Sequence, residues 1–172
     1  MPIRIRRASP ADEAAIDQWQ RSMESVEDYL LLGEGIGRDQ GEIRQRFSEW
    51  LRLPRAKKTP TGWERIDLVA VEDNGAICAY CAVMFGPRDP LTGQPEAYLG
   101  ELHVWPDYRK RGVARGLLEM AEAYAVQRGV PYLSIHVPAG NTSAMQLFAG
   151  AGYRQESIKM TKRVARPTAP PQ

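Results

Sequence analysis

Apolar and basic residues alternate over positions 3–7, Ile-Arg-Ile-Arg-Arg, and a period of two predicts a first strand. The rhythm then changes. Ser9-Pro10-Ala11-Asp12 supplies a cap, a proline at the first helical position and a carboxylate three residues after the cap, and Ile16, Trp19 and Met23 follow at helical spacing. A second helix is predicted over 40–53, with Ile43, Phe47, Trp50 and Leu51 on one side, and Gly33, Gly35 and Gly37 mark a mobile loop between the two. After a basic, proline-containing connection at 54–63, strand-like runs at 65–72 and 76–85 flank Asp73-Asn74-Gly75, a strong hairpin signal. A turn-rich stretch at 86–95 leads into the next strand, 98–104. Val113, Leu117, Met120, Ala121 and Tyr124 form the inner face of a helix that Gly129 ends. The run 131–137 reads as a buried strand, and Asn141 caps a helix whose apolar face is Ala144, Leu147 and Phe148. Positions 153–163 supply one or two last strands. This order of elements predicts a mixed α/β sheet with helices on both faces.

The chain has 172 residues, enough for one domain with a real core. That domain is expected over 1–163, with 164–172 a proline-containing, disordered tail. The net charge of +2 gives no general reason to expect a nucleic-acid partner, since the basic residues are spread out apart from 52–58 and 109–115. No apolar run approaches the roughly 20 residues that span a bilayer, so no membrane association is expected. The N-terminus lacks the apolar core of a signal peptide, so a cytoplasmic protein is expected. Cys78 and Cys81 form a C-x-x-C, but in a strand residues three apart face opposite ways, and no second cysteine pair completes a zinc site. No metal is expected, and the pair reads as small buried thiols.

The chemistry concentrates at 108–118, Tyr-Arg-Lys-Arg-Gly-Val-Ala-Arg-Gly-Leu-Leu. Glycine and small residues stand where strand becomes helix, among four basic side chains. Backbone N–H groups at such a helix start point at an anion, and small residues let it come close. No Lys-Ser/Thr pair follows and no G-x-G-x-x-G precedes, so neither the nucleotide-hydrolase loop nor the dinucleotide fingerprint is present.

Two motifs in order resemble the GNAT superfamily of acyl-CoA-dependent N-acetyltransferases. The first is Gln/Arg-x-x-Gly-x-Gly/Ala, here Arg109-Lys110-Arg111-Gly112-Val113-Ala114, after a strand–Pro–aromatic lead-in at 101–108. The second is Asn-x-x-Ala-x-x-x-Tyr-x-x-x-Gly-Phe/Tyr, here 141–153. The correspondence covers about 3–163. It implies a mostly antiparallel central sheet of six to seven strands, with a splay between the fourth and fifth. It implies acetyl-CoA as cofactor: the amides of Arg109, Lys110, Arg111, Gly112, Val113, Ala114 and Arg115 hold the pyrophosphate, and Leu102, His103 and Val104 pair with the pantetheine arm as an added strand would. Asn141 and Phe148 belong to the same cofactor site, Asn141 serving also as a plain helix cap. Dimers are common in this class, so a homodimer is one expectation.

The reaction so implied transfers an acetyl group to a primary amine of a small molecule or peptide by direct attack in a ternary complex. An amine of pKa near 10 is only about one part in a thousand neutral at pH 7, so a base helps. The resemblance places an oxyanion donor at a backbone N–H near Val104. Glu101, beside the thioester on its strand, is the first candidate base; its plainer reading is a salt-bridge partner for a nearby arginine. His103 shares that strand face by period two and has a suitable unperturbed pKa. His136 reads as packed or bonded within the sheet. The family's usual general acid is a tyrosine seven residues after the Asn, where this chain has Phe148. Tyr153 is then a candidate to serve the departing thiolate, against a plainer reading as a core aromatic; water is the other. Glu24, Glu27, Asp28, Tyr29, Glu34 and Asp39 could attract a cationic acceptor or simply be a solvated face, and Trp19, Trp50 and Trp63 read as core. The absence of a tyrosine at 148 keeps open an alternative, an acyl-CoA-binding module without turnover.

Overall fold

Positions 77–85, Ile-Cys-Ala-Tyr-Cys-Ala-Val-Met-Phe, are almost without polar interruption, and a strand of that composition must be covered on both faces. In the computed structural model, which describes residues 2–21, 39–51, 53, 58–88 and 92–162, it is the middle strand of a five-stranded sheet. The strands are β1 (Ile3–Arg7), β2 (Glu64–Glu72), β3 (Ile77–Arg88), β4 (Pro95–Val104) and β5 (Tyr132–Ser134), and their spatial order is their chain order. β1 to β4 are antiparallel, and β5 joins β4 in parallel. The helices are α1 (Glu13–Gln20), α2 (Gln40–Leu51), α3 (Val113–Gln127) and α4 (Thr142–Gly150). The hairpin between β2 and β3 turns at Gly75, φ +85°, with the Glu72 amide donating to the Ala76 carbonyl at 2.9 Å.

Two cores form, one on each face. On one side Val113, Leu117, Leu118 and Ala121 of α3, with Phe148 of α4, pack on Leu68, Cys81, Val83, Ala97 and Leu99. On the other, Ile16 and Trp19 of α1 pack on Val69, Val71, Tyr80 and Ala82. The helices thus cover both faces, as the pattern predicts.

One irregularity decides which residues meet which core. Opposite Ala82 stands Glu101, and opposite Val83 stands Leu99, so Gly100 is an extra residue in β4. A bulge resets the alternation of a strand. Before it, Ala97 and Leu99 face the α3 core; after it, Leu102 and Val104 do, while Glu101 and His103 turn to the α1 side beside Ala82 and Tyr80.

A second bulge, at Cys78 between the pairs Ala70–Ala79 and Val71–Ile77, corrects the expectation for the cysteines. Cys78 and Cys81 do not diverge to opposite faces; both lie in the α3-side core as free, buried thiols, and burial raises both their pKa values.

Six to seven strands are expected, and the described residues form five. The run 131–137 pairs only over Tyr132–Ser134, and among the described residues 153–162 there is no strand. That segment is largely polar, and its two aliphatic side chains, Ile158 and Met160, are 72% and 90% exposed, so it buries no apolar face that would hold it on the sheet. The glycine loop at 33–37, Glu24, Glu27, Asp28, Tyr29, Glu34 and the tail at 164–172 lie outside the described residues. No described helix is long and apolar enough to cross a membrane.

Candidate active site

The helix α3 begins without a cap. Gly112 precedes it at φ +80°, no side chain accepts from its first turn, and that turn carries no acidic residue. α1 and α2, by contrast, have Glu13 and Glu42 there. The first helical bond runs from Gly116 N to Gly112 O at 3.0 Å, so the amides of Val113, Ala114 and Arg115 have no partner within the helix. Just before, Lys110 adopts φ +60°, unusual for a residue with a side chain. Alternation of left- and right-handed backbone concentrates N–H groups into an anion-binding concavity. The basic side chains around it are partly committed. Arg109 Nε donates to the Val104 carbonyl at 3.0 Å, Arg111 lies 5.5 Å from the Tyr108 ring centroid, and Arg115 pairs with Glu119 at 3.7 Å. Backbone, more than side-chain charge, makes this seat.

Above it β4 is open. Its pairing with β5 covers only Glu96, Ala97 and Tyr98. Two side-chain contacts clamp that short ladder: Tyr98 Oη with His136 Nδ1 at 2.9 Å, and Ser134 Oγ donating to Glu96. Beyond Tyr98 the strand continues to Val104 with β3 on one side and, among the described residues, no strand on the other. The Trp105 amide donates to Cys78 O at 2.9 Å, toward β3. By alternation the main-chain groups of Leu102 and Val104 face the open side. The Arg109 bond to Val104 O fits that direction.

On the α1 face the strands bury a polar network. Glu101, 6% exposed, accepts from Gln20 Nε2 at 2.6 Å and from Arg65 at 3.2 Å. Arg65 also pairs with Asp67 at 2.9 Å and donates to Tyr80 Oη, which in turn donates to Asp67 at 2.8 Å. Lys58 Nζ closes the chain on Gln20 Oε1 at 3.0 Å. Burial alone would lower the Arg65 pKa; Tyr80, Asp67 and Glu101 outweigh it and raise it. Burial keeps Tyr80 protonated, its pKa well above the usual phenol value. Glu101 is thus the partner of an arginine, whatever else it does. Sequence reasoning missed Arg65, Asp67, Gln20 and Lys58. Arg65 and Asp67 left a trace, two charges at a spacing of two just before the apolar run Leu68 to Val71; Gln20 and Lys58 left none.

His103 lies two residues beyond Glu101 on the same face. Its ring centroid is 4.3 Å from that of Trp19, which is 4.7 Å from that of Trp105. Burial, helped by the charge of Arg109, lowers the His103 pKa to about 3, so the unperturbed value expected from sequence does not hold and the imidazole is neutral at pH 7. Trp19 is core, as predicted, and its buried Nε1 has no hydrogen-bond partner among the described residues. Asp39 is explained locally: it caps α2 by accepting from Glu42 N at 3.0 Å.

Asn141 Oδ1 accepts from Ala144 N at 3.0 Å and caps α4. Phe148 is buried in the α3-side core, in an edge contact with Tyr153 at 5.3 Å. Tyr153 packs on the same core as Leu102 and Val104, and its hydroxyl is buried with no hydrogen-bond partner among the described residues. Burial, then Glu122 and Cys81, raise its pKa, so the hydroxyl keeps its proton. A buried polar atom left unpaired calls for an explanation, and a bound ligand is one.

The profile of the acetyltransferase (GNAT) family matches residues 36–153, more than half of the chain. YdgE of Bacillus subtilis, named an uncharacterized N-acetyltransferase, is 32% identical over 76 residues, covering 44% of this chain and 48% of YdgE. The ribosomal protein bS18 alanine N-acetyltransferase of Escherichia coli K12 is 36% identical over 64 residues, 37% of this chain and 43% of that enzyme. The chain thus spans about half the length of the curated relatives it matches. Among solved structures, a Pyrococcus furiosus protein assigned as an acetyl transferase superposes with TM-score 0.72 at 18% identity, over 95% of this chain and 100% of that one. The aminoglycoside N-acetyltransferase AAC(6')-Iy, solved with a CoA bisubstrate analog, superposes at 0.61 and 15% identity, over 96% of this chain and 100% of that one. These two show the fold alone. With the profile match across both motifs, the chain belongs to the acetyltransferase (GNAT) family.

Proposed function

We propose that the protein is an N-acetyltransferase that moves an acetyl group from acetyl-CoA to a primary amine of a small molecule or peptide, by direct attack in a ternary complex. The observation that carries this reading is the open side of β4 directly upstream of a helix start with uncapped amides. An anion fits the first turn of α3, and an extended amide-bearing arm fits an edge where Leu102 and Val104 have main-chain groups to pair. Arg109 through Arg115 would hold the pyrophosphate, His103 would line the strand between its two edge-facing neighbours, and Asn141 and Phe148 would wall the arm from α4. Bound acetyl-CoA supplies the acetyl group as a thioester.

The chain's own residues then have these roles. Glu101 takes a proton from the incoming ammonium, directly or through water, at the α1 face. Gln20 and Arg65 hold both of its oxygens and fix its orientation, while each oxygen keeps a second lone pair. His103, neutral, lines that face with Trp19 and takes no proton near pH 7. The Val104 N–H faces the negative charge that develops on the acetyl oxygen. Tyr153 gives a hydrogen bond to the departing sulfur. With its pKa raised it is a poor source of a full proton for a thiolate of pKa near 8.5, so water delivers that proton.

The test is thiol release from acetyl-CoA with a panel of amines, followed by pH–rate profiles of wild type and Glu101→Gln. Loss of the lower limb of kcat/KM in the variant is the expected result. An unchanged profile removes Glu101 from the reaction. Phe148, with no proton to give where the family resemblance implies a tyrosine, favours a second reading, an acyl-CoA-binding module without turnover. CoA binding without thiol release on any amine would establish that reading instead.

A further inference from the structure

The α1 face already holds a primary amine. Lys58 reaches in from the connection between α2 and β2, and its Nζ donates to Gln20 Oε1 at 3.0 Å while lying 4.8 Å from the centroid of the Trp50 ring. A carbonyl oxygen and an aromatic face together recognise an alkylammonium. Gln20 has no freedom to refuse the role. It is 1% exposed, and its amide nitrogen donates to Glu101 at 2.6 Å, so its oxygen must point the other way. A buried carbonyl so oriented needs a donor, whether or not Lys58 supplies it.

We infer that Gln20 Oε1 and the Trp50 ring form the subsite for the acceptor's ammonium group, and that Lys58 is a resident stand-in which the acceptor displaces. The inference rests on the reading of the α1 face as the acceptor side. An ammonium held here lies across the Gln20 amide from the Glu101 carboxylate, and water carries its proton to the proposed base. Lys58 is only half-buried, and its flexible stem can carry the charge back to water when another cation arrives. The exchange replaces one alkylammonium by another, so the charge beside Arg65, Asp67 and Glu101 is unchanged. The occupant also defines the substrate class. An unbranched methylene stem ending in a primary ammonium fits, as in a linear amine or a lysine side chain. An α-amino group on a branched carbon beside a carbonyl differs from the group the subsite now holds.

The experiment is a titration of the Trp50 indole N–H resonance with n-butylammonium chloride at constant ionic strength, on wild type, Lys58→Met and Lys58→Arg. Removing the competitor should lower the midpoint by at least about fivefold in Lys58→Met, because the free site is no longer mostly occupied. Lys58→Arg keeps a cation over the ring and should stay at or above the wild-type midpoint. Alaninamide should move the resonance in none of the three. Equal midpoints in wild type and Lys58→Met, or a Trp50 signal that butylammonium never shifts, overturn the inference. If Lys58→Met does not fold, Lys58→Gln takes its place under the same criterion. No acetyl-CoA or turnover enters this measurement. A flat titration alongside ordinary amine acetylation sinks the subsite and spares the acetyltransferase reading, while a saturating titration without thiol release does the reverse.

Discussion

Tyr153 is the residue whose two possible roles separate most cleanly. A buried hydroxyl with no partner costs about 1–3 kcal/mol of desolvation that nothing in the fold returns. Removing it as Tyr153→Phe should therefore leave stability unchanged or raise it by about 1 kcal/mol. Under the proposed role the same change should lower kcat about tenfold or more, with KM for the amine little altered, because a donor to the leaving sulfur acts after the acceptor binds. Thermal unfolding and kcat measured on one preparation decide between the roles. A stabilised variant with full turnover makes the hydroxyl a packing accident; a stabilised variant with a lost chemical step makes it a group held for function. Glu101 presents the opposite case. It is paired on both oxygens, so its removal disturbs structure and chemistry together, and only the shape of a pH profile can tell them apart.

The element that sets the site is β4, through Gly100. Deleting Gly100 would remove the extra residue and leave Leu99 and Glu101 as consecutive partners of Val83 and Ala82, so Glu101 and His103 would keep the α1 face. The expected outcome is a chain that still unfolds in one cooperative transition in urea and keeps the pair between Glu101 and Arg65. Gly100→Ala is a milder change, since the added carbon would meet only the flexible tip of Met84 at 2.7 Å, and it should cost about 1 kcal/mol or less. At the start of α3 the logic differs. Gly112→Ala meets nothing within 4 Å, but φ +80° strains any L side chain by roughly 1–2 kcal/mol. The loop should relax away from its anion-binding form, and CoA affinity, measured by calorimetry, should fall by about tenfold; unchanged affinity would show that the basic side chains carry the seat. The uncapped helix start at Gly112 was legible because strand, glycine and helix start are local in sequence. The bulge was not, because Gly100 reads as one more strand residue until β3 fixes the register. Nor was the Arg65–Glu101–Gln20–Lys58 network, whose members come from two strands, a helix and a connection.

Across the whole molecule, acid stability tests whether the two faces are assembled as described. Asp12 accepts from Arg6 at 2.7 and 2.9 Å and from Ser9 N and Oγ at 2.7 Å each, tying β1 to the entrance of α1. The bond from Arg6, outweighing burial, holds its carboxyl well below the usual carboxylate range. A carboxyl depressed in the folded state stabilises fully above its unfolded pKa of about 4 and loses that contribution as pH falls further. His103 behaves as a base depressed by burial, from about 6.5 unfolded to about 3 folded. Between those values the unfolded chain binds the proton and the folded chain does not, so stability falls as pH drops, by up to about 1.4 kcal/mol per unit. The two windows barely overlap. Urea unfolding at pH 7, 5.5 and 4.5 should therefore show a slope that His103→Gln flattens and Asp12→Asn does not. Asp12→Asn should instead cost about 1–2 kcal/mol at pH 7, with the gap to wild type closing only below about pH 4. If His103→Gln keeps the wild-type slope, the imidazole is protonated in the folded protein. Its neutral packing against Trp19, and with it the α1 cover over Glu101, would then be wrong.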